Sequence, residues 1–250
     1  QGLARKTLPA REVLKTIARL QLESGGPYMH NADLINRCSN VRQIEKDGVH
    51  VEAPVAHSNL CAEIVQPSTP EKPALCNLAS INLRRFVVRG QAGDGGDGEA
   101  KFDFPKLKEV VEHVVRSLDR VIEVTKLFDE EMRLYNKAVR PMGLGVQGFA
   151  DVLHALRLPW SSSEARQFNV NLFACIYWTA VKTSAALAKE HGPHKDWNLT
   201  DTGHGIFHPD HYDLSGPGLS TPPKPEDHAI SEGEILRARL EAREHGMRNS

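Results

Sequence analysis

The pattern of apolar and polar positions along the chain predicts five helices. Apolar residues recur at helical spacing in residues 10–23, 103–125, 146–158, 161–190 and 231–245. Capping residues stand at two of the starts, since Asp103 precedes the second helix and the SSSE run at 161–164 resembles a capping box before the fourth. Glycines follow the first, fourth and fifth helices, which is typical of helix ends.

Extended and irregular segments separate these helices. Residues 28–58 contain turn residues without a clean period, and we expect loops and short strands there. Residues 59–66 are expected to be extended, whereas residues 79–88 fit either a strand or the start of a helix. Residues 90–100 are rich in Gly and Asp, and residues 198–228 in Gly, Pro and His, so both are expected to be surface excursions. Long helices alternating with short extended pieces favour an α/β fold.

Composition and charge exclude some classes of protein. The chain has 250 residues, of which 40% are hydrophobic and 25% are charged, and its net charge is −1. This balance offers no basic surface for nucleic acid, and no apolar run approaches the ~20 residues of a membrane helix. Without a signal peptide, a cytoplasmic location with reduced cysteines is expected. Because the sequence begins with Gln1 rather than Met, we expect an internal piece of a longer protein.

Three reactive side chains at alternate positions make residues 57–64, HSNLCAEI, the strongest candidate site. In an extended segment Asn59, Cys61 and Glu63 would face one side, and the apolar residues between them would pack on the other. A lone cysteine in an apolar run is usually a small buried hydrophobe. A carboxylate two residues away is costly to bury without a use, however, which favours a functional site.

The other three cysteines carry weaker signals. Cys76, in ALCNLASINL, follows Cys61 across a proline-rich stretch. Alone it would be a core thiol, but paired with Cys61 it could line the same pocket. Cys175, inside NLFACIYW, is expected to lie in the core, and Cys38 has no assigned role. The chain contains no C-x-x-C pair, which argues against a zinc–thiolate site.

Two further patterns suggest ligands, but their contexts argue against both. Residues 143–148, GLGVQG, match the G-x-G-x-x-G of dinucleotide-binding proteins, which requires a preceding strand. Residues 137–141, KAVRP, make a poor strand, so we expect the glycines to allow close backbone packing instead. His204, His208 and His211 are close enough to suggest a metal, but a solvated loop fits them better, and no metal site is expected.

Four motifs together give a specific resemblance. SNLCAEI at 58–64, ALCNLASINL at 74–83, RPMGLGVQGFAD at 140–151 and HGMRNS at 245–250 occur in this order. On these motifs the chain resembles the catalytic large subunit of class I ribonucleotide reductases of the eukaryotic type. The likeness covers nearly the whole chain.

The resemblance implies a fold and a radical chemistry. Residues 1–250 would form part of a ten-stranded α/β barrel, with residues 57–66 as a finger loop through its centre. Cys61, at the finger tip, would become a transient thiyl radical that abstracts the 3′-hydrogen of a ribonucleoside diphosphate. Glu63 would take the proton of the 3′-hydroxyl, a role that suits a carboxylate within hydrogen-bond reach.

The same resemblance assigns the remaining site residues. Asn59, with Ser58, would bind the ribose hydroxyls, and water would leave from C2′. Cys76 would be one half of the dithiol that reduces the intermediate and ends as a disulfide, since two thiols can deliver two electrons in this way. The implied enzyme is a ribonucleoside-diphosphate reductase, an oxidoreductase with a disulfide as acceptor that makes DNA precursors.

Cofactors and partners are also implied by the resemblance. No cofactor would be bound by these residues: a metal-containing small subunit would supply the radical, and ATP or dNTP effectors would bind elsewhere in the large subunit. Thioredoxin or glutaredoxin would reduce the disulfide, and large subunits would form a homodimer, with neither nucleic acid nor membrane as partner. This piece alone is expected to be inactive, because the partner cysteine of Cys76 would lie outside it.

Two alternatives remain open. An adenosylcobalamin-dependent reductase would make the radical itself, but such relatives tend to have Pro where this chain has Leu60. A non-catalytic nucleotide-binding paralogue would be free to lose the reactive groups, and the intact set of Asn59, Cys61 and Glu63 argues against it.

Overall fold

Helices dominate the computed structural model, which describes residues 6–41, 43–46, 49–52, 54–70, 72–89, 100–211 and 229–250. The helices are α1 (Ala10–Ser24), α2 (Ala32–Cys38), α3 (Phe104–Val124), α4 (Glu130–Val139), α5 (Phe149–Ala155), α6 (Ser163–His191) and α7 (Glu232–His245). The strands are β1 (Gln43–Lys46), β2 (Val49–Glu52), β3 (Asn77–Asn82), β4 (Val87–Arg89), β5 (Ala100–Phe102) and β6 (Met142–Gln147). Short 3-10 turns occur at residues 83–86, 197–199, 202–204 and 208–211.

Strands β3 and β6 form a parallel pair, one face of which contributes to the core. Strands β3 and β6 run side by side, in register from Asn77 opposite Met142 to Asn82 opposite Gln147. Helices α3 and α4 lie between them in the chain, and such helical crossovers between parallel strands are the unit of α/β folds. The predicted α/β class is therefore confirmed. The described strands pair two by two and form no closed barrel, so the ten-stranded barrel stays a prediction.

The core is built between this strand pair and helices α3 and α6. Helix α3 buries one face completely, with Leu107, Val111 and Val115 at the four-residue spacing expected of a helix. Leu172 of α6 is also fully buried. A second cluster between α6 and α7 is centred on Trp178. No helix among the described residues is long and apolar enough to cross a membrane.

Most predicted helices are confirmed, with differences at their caps. Asp103 caps α3 by accepting a hydrogen bond from the Lys106 backbone N–H at 2.9 Å. Helix α6 is capped by Ser162 alone, through the Ala165 N–H at 3.1 Å, so the capping box expected there is wrong. The chain does contain a capping box, at the start of α7, between Ser231 and Glu234.

Three segments differ from the sequence-based expectation. The helix expected over 146–158 is wrong at its start, because Met142–Gln147 is strand β6 and the helix α5 covers only Phe149–Ala155. Helices α2 and α4 were not anticipated. The undecided segment 79–88 is strand, then a 3-10 turn, then strand. Residues 90–99 and 212–228, which include most of both predicted excursions, lie outside the described residues.

A buried ion pair connects three distant parts of the chain. Arg140, directly after α4, donates from Nε and Nη2 to Asp119 Oδ1 of α3 at 3.1 and 2.8 Å. Asn249 donates its side-chain N–H to the same oxygen at 2.9 Å. Glu123, one turn along α3, accepts from Arg140 and from Arg248. Two of the four motifs, RPMG and HGMRNS, therefore converge on one carboxylate.

We predict that Asp119→Leu lowers the free energy of unfolding by about 3–5 kcal/mol, because it leaves the Arg140 guanidinium buried without this partner. The double variant Asp119→Leu/Arg140→Met should recover part of the loss. Urea unfolding of the four proteins of this cycle measures the coupling. Arg133→Met, which breaks an exposed pair with Glu130, is the control and should change little. Additive losses would contradict coupling through the buried pair.

Buried His194 predicts a loss of stability on acidification. Burial lowers the pKa of His194 to about 4, well below its ordinary value. In the unfolded chain the imidazole takes up a proton below about pH 6.5. The contribution of buried, neutral His194 to the free energy of unfolding is therefore complete above that pH and is lost as the pH falls towards 4. Between pH 7 and pH 5 the loss should be about 2 kcal/mol. Urea unfolding of His194→Gln should show a smaller pH dependence, whereas the exposed control His30→Gln should match wild type; equal slopes in all three would contradict the assignment.

Candidate active site

Residues 58–64 form a hydrogen-bonded turn. The Ala62 N–H donates to the Asn59 carbonyl at 3.1 Å, and Ala62 has a left-handed φ of 65°. The Asn59 side-chain oxygen accepts from the Ile64 N–H at 3.0 Å, while the Ser58 hydroxyl donates to the Ile64 carbonyl at 2.6 Å. The segment therefore folds back on itself, and the prediction of an extended strand over 59–66 is wrong.

Because of the turn, the three candidate side chains are not arranged as an extended segment would place them. Asn59, Cys61 and Glu63 are all exposed, but they do not share one face of a strand. Cys61 lies in the turn itself, beside Leu60, which is 92% exposed. The expectation that apolar neighbours pack away from the reactive groups is therefore wrong for Leu60 within the described residues. Asn59 shapes the turn through its side-chain oxygen and leaves its amide N–H groups for other partners.

Cys76 lies at the start of the parallel strand pair formed by β3 and β6. It is an exposed free thiol directly before β3. Its neighbour Asn77 donates from Nδ2 to Asn136 Oδ1 at 2.8 Å and to the Pro141 carbonyl at 2.9 Å. The backbone beside Cys76 is thus held by α4 and by the residue before β6. The hydroxyl of Tyr135, also on α4, donates to Gln66 Oε1 at 3.2 Å, at the end of the segment predicted to be the finger loop.

The remaining two cysteines have different surroundings. Cys175 is fully buried in α6, as predicted, and burial raises its pKa to about 11. Cys38 is half-buried at the end of α2 and lines a largely apolar cavity of about 240 Å³ between α3, α6 and the chain end. Neither thiol lies in the turn at residues 58–64 or beside β3.

The glycine motif proves to be a strand. Gly143 and Gly145 lie inside β6, so no strand precedes a glycine loop and a dinucleotide-binding fingerprint is absent here. A Cβ on Gly143 would come within 2.5 Å of Leu78 Cδ2 on β3. Close packing between the two strands, as predicted, explains this glycine.

The histidines form local contacts within their loop. His211 Nε2 lies 3.0 Å from Asp201 Oδ2, and both side chains are nearly buried. The rings of His208 and His211 are 6.4 Å apart, and burial lowers the pKa of His208. In the part of the chain that the structure describes, no three His, Cys, Asp or Glu side chains converge in a way that could hold a metal ion.

Comparisons with known proteins agree with this arrangement of motifs. The family described as ribonucleotide reductase, barrel domain, matches residues 1–250. The chain is 36% identical over 250 residues to a ribonucleoside-diphosphate reductase large subunit of Caenorhabditis elegans, covering 100% of this chain and 28% of that protein. It is 35% identical over 250 residues to a ribonucleoside-diphosphate reductase large chain of Schizosaccharomyces pombe, covering 100% of this chain and 27% of that protein. The chain thus spans little more than a quarter of these relatives.

We predict that the thiols of Cys175 and Cys38 differ sharply in reactivity. Because burial raises the pKa of Cys175 to about 11, its thiolate should be scarcer than that of an ordinary cysteine by more than about 100-fold at pH 8. Iodoacetamide labelling followed by mass spectrometry should leave Cys175 unmodified in the native protein while Cys38 reacts. Labelling in urea is the control, in which both should react. Native labelling of Cys175 at the rate of Cys38 would contradict its burial.

Proposed function

We propose that this chain, which belongs to the ribonucleotide reductase barrel-domain family, carries the radical thiol and the catalytic base of a ribonucleoside-diphosphate reductase. The observation that carries the proposal is the turn at 58–64, which displays Cys61 at an exposed tip with Glu63 two residues away. The names of the relatives support the same activity.

In the proposed reaction Cys61 starts and ends the cycle. As a thiyl radical it takes the hydrogen atom from C3′ of the ribose, which forms a carbon radical and an S–H bond. The Glu63 carboxylate accepts the proton of the 3′-hydroxyl, and the 2′-hydroxyl leaves as water with a proton from the dithiol. The same hydrogen returns from Cys61 to C3′ at the end, which restores the thiyl radical.

The electrons come from a pair of thiols. Cys76 and a second cysteine each lose a hydrogen and form a disulfide, while the C2′–O bond is replaced by a C2′–H bond. The net change is one ribonucleoside diphosphate and two thiols to one 2′-deoxyribonucleoside diphosphate, water and a disulfide. An external dithiol of the thioredoxin or glutaredoxin type would reduce that disulfide by exchange.

Asn59 and Ser58 suit the binding of the sugar. Asn59 uses its side-chain oxygen within the turn and can offer its N–H groups to the ribose hydroxyls. The turn fixes the rotamer of Asn59, so less entropy is lost on binding. The exposed Leu60 would be covered in the complete barrel, which would keep water from the radical.

The rest of the assembly follows from this proposal. Strands β3 and β6 would be two of the ten barrel strands, and the large subunit would act as a homodimer in the cytoplasm. A metal-containing small subunit would supply the radical, with ATP or dNTP effectors bound outside these residues.

We predict that Cys61→Ser abolishes reduction, because an O–H bond is too strong for a hydroxyl to serve as the hydrogen carrier. The complete large chain, with its small subunit and a dithiol reductant, is assayed for deoxyribonucleoside diphosphate. Cys38→Ser is the matched control and should keep turnover close to wild type, since Cys38 lies outside the finger turn and the β3 start. Comparable turnover in Cys61→Ser would remove Cys61 from the chemistry.

A further inference from the structure

We propose that Tyr135 and Asn136, consecutive residues of α4, are positioning residues that hold the finger loop and Cys76 at a fixed separation. The proposal rests on the proposed function, in which Cys61 and Cys76 act in turn on one sugar. Both residues are almost completely buried, at 3% and 2% exposed. Each binds one end of the segment that joins the two thiols.

Tyr135 holds the finger end of that segment. Its hydroxyl donates to Gln66 Oε1 at 3.2 Å and lies 3.5 Å from the Pro67 carbonyl. Burial raises the pKa of Tyr135, and the charge of Asp196 adds to the effect. The hydroxyl therefore stays protonated and remains a donor throughout the working pH range.

Asn136 holds the other end. Its side-chain oxygen accepts from Asn77 Nδ2 at 2.8 Å, and the same nitrogen donates to the Pro141 carbonyl at 2.9 Å. Both N–H groups of Asn77 are thereby used, so the residue after Cys76 is tied to the end of α4 and to the entry of β6. Adjacent helical residues have Cα atoms only ~3.8 Å apart, which leaves little freedom between the two anchor points.

The chain between the anchors closes on itself. Thr69 and Lys72 exchange backbone hydrogen bonds at 3.1 and 3.2 Å. The Ala74 N–H donates to the Ser68 hydroxyl oxygen at 3.0 Å. Hydrogen bonds thus hold this loop internally, and Tyr135 and Asn136 hold its two ends. A displacement of either end would therefore move the finger loop relative to Cys76, because the loop is too constrained to compensate.

Release of the free base from the substrate is a readout that a purely structural role of Tyr135 and Asn136 would not change. Loss of water from C2′ leaves a carbonyl at C3′, and once C2′ carries a hydrogen the base at C1′ is β to that carbonyl. If the final reduction is delayed, elimination breaks the C1′–N and C2′–H bonds, forms a C1′=C2′ double bond and releases the base with the proton. The ratio of free base to deoxynucleotide therefore reports whether the second electron from the dithiol reaches the 3′-ketone before the base is lost.

The test uses the complete large chain with its small subunit and a dithiol reductant. Tyr135→Phe removes one hydroxyl and keeps the buried ring, and Tyr28→Phe removes a hydroxyl from an exposed tyrosine as the matched control. We expect Tyr135→Phe to lower kcat by about 10-fold with little change in KM. A displacement of reacting groups by up to about 1 Å can lower the rate by up to about 100-fold. The ratio of free base to product should rise in Tyr135→Phe and stay at the wild-type level in Tyr28→Phe.

A second variant keeps the test decisive if Tyr135→Phe folds poorly. Gln66→Leu removes the same hydrogen bond from the half-buried side, and the double variant should be no worse than either single variant. Wild-type kcat and base release in Tyr135→Phe and Gln66→Leu, with an active wild type, would overturn the positioning role and leave the proposed function standing. An inactive wild type would overturn the proposed function and this proposal with it.

Discussion

The carboxylate of Asp119 is the constraint on which the remaining geometry depends. It is buried on α3 and accepts from Arg140 before β6 and from Asn249 at the end of the described chain. A buried charge of this kind is tolerated only with its partners in place, so the ion pair requires α3, the α4–β6 junction and the last residues to meet in one arrangement. Arg140 also ends α4 in a left-handed conformation, which turns the chain directly into β6.

The candidate site is built outward from that junction. Strand β6 pairs with β3, and Cys76 stands at the start of β3. Tyr135 and Asn136 lie in the last turns of α4, so the residues that contact the finger segment and Asn77 are fixed by the same ion pair. Regular elements thus carry both ends of the proposed site, while the proposed finger loop contains a short turn. Such fixed elements suit the proposed chemistry, in which Cys61 and Cys76 react with the same substrate.

The sequence predicts the long elements well and the short ones poorly. Helices α3, α6 and α7 were predictable because each has capping residues or a long apolar stripe. Strand β6 was missed, and its last two residues were assigned to a helix, because its glycines remove the side chains that would have shown a period of two. Helix α4 is short and mostly polar on its surface, so its periodicity is weak, although Asp129 is a typical cap for it.

The motifs suggested the candidate site residues, but they did not predict how these residues are arranged. Alternation suggested a strand at 59–66, whereas Asn59 bonds to the backbone of Ile64 and closes a turn. Asparagine often makes such local bonds, so it was the available signal for the turn. The roles of Tyr135 and Asn136 have no counterpart in the local sequence, because both depend on contacts with residues about 60 to 70 positions earlier.

The proposed function depends on cleavage of the C3′–H bond by the Cys61 thiyl radical, and isotopic substitution at that carbon tests this step most directly. The measurement is single-turnover formation of deoxynucleotide by the complete, pre-reduced enzyme, with substrate carrying either hydrogen or deuterium at C3′. We predict slower formation from the deuterated substrate and retention of the deuterium at C3′ of the product, since the atom returns from Cys61. Equal rates together with loss of deuterium to solvent at every turnover would contradict it.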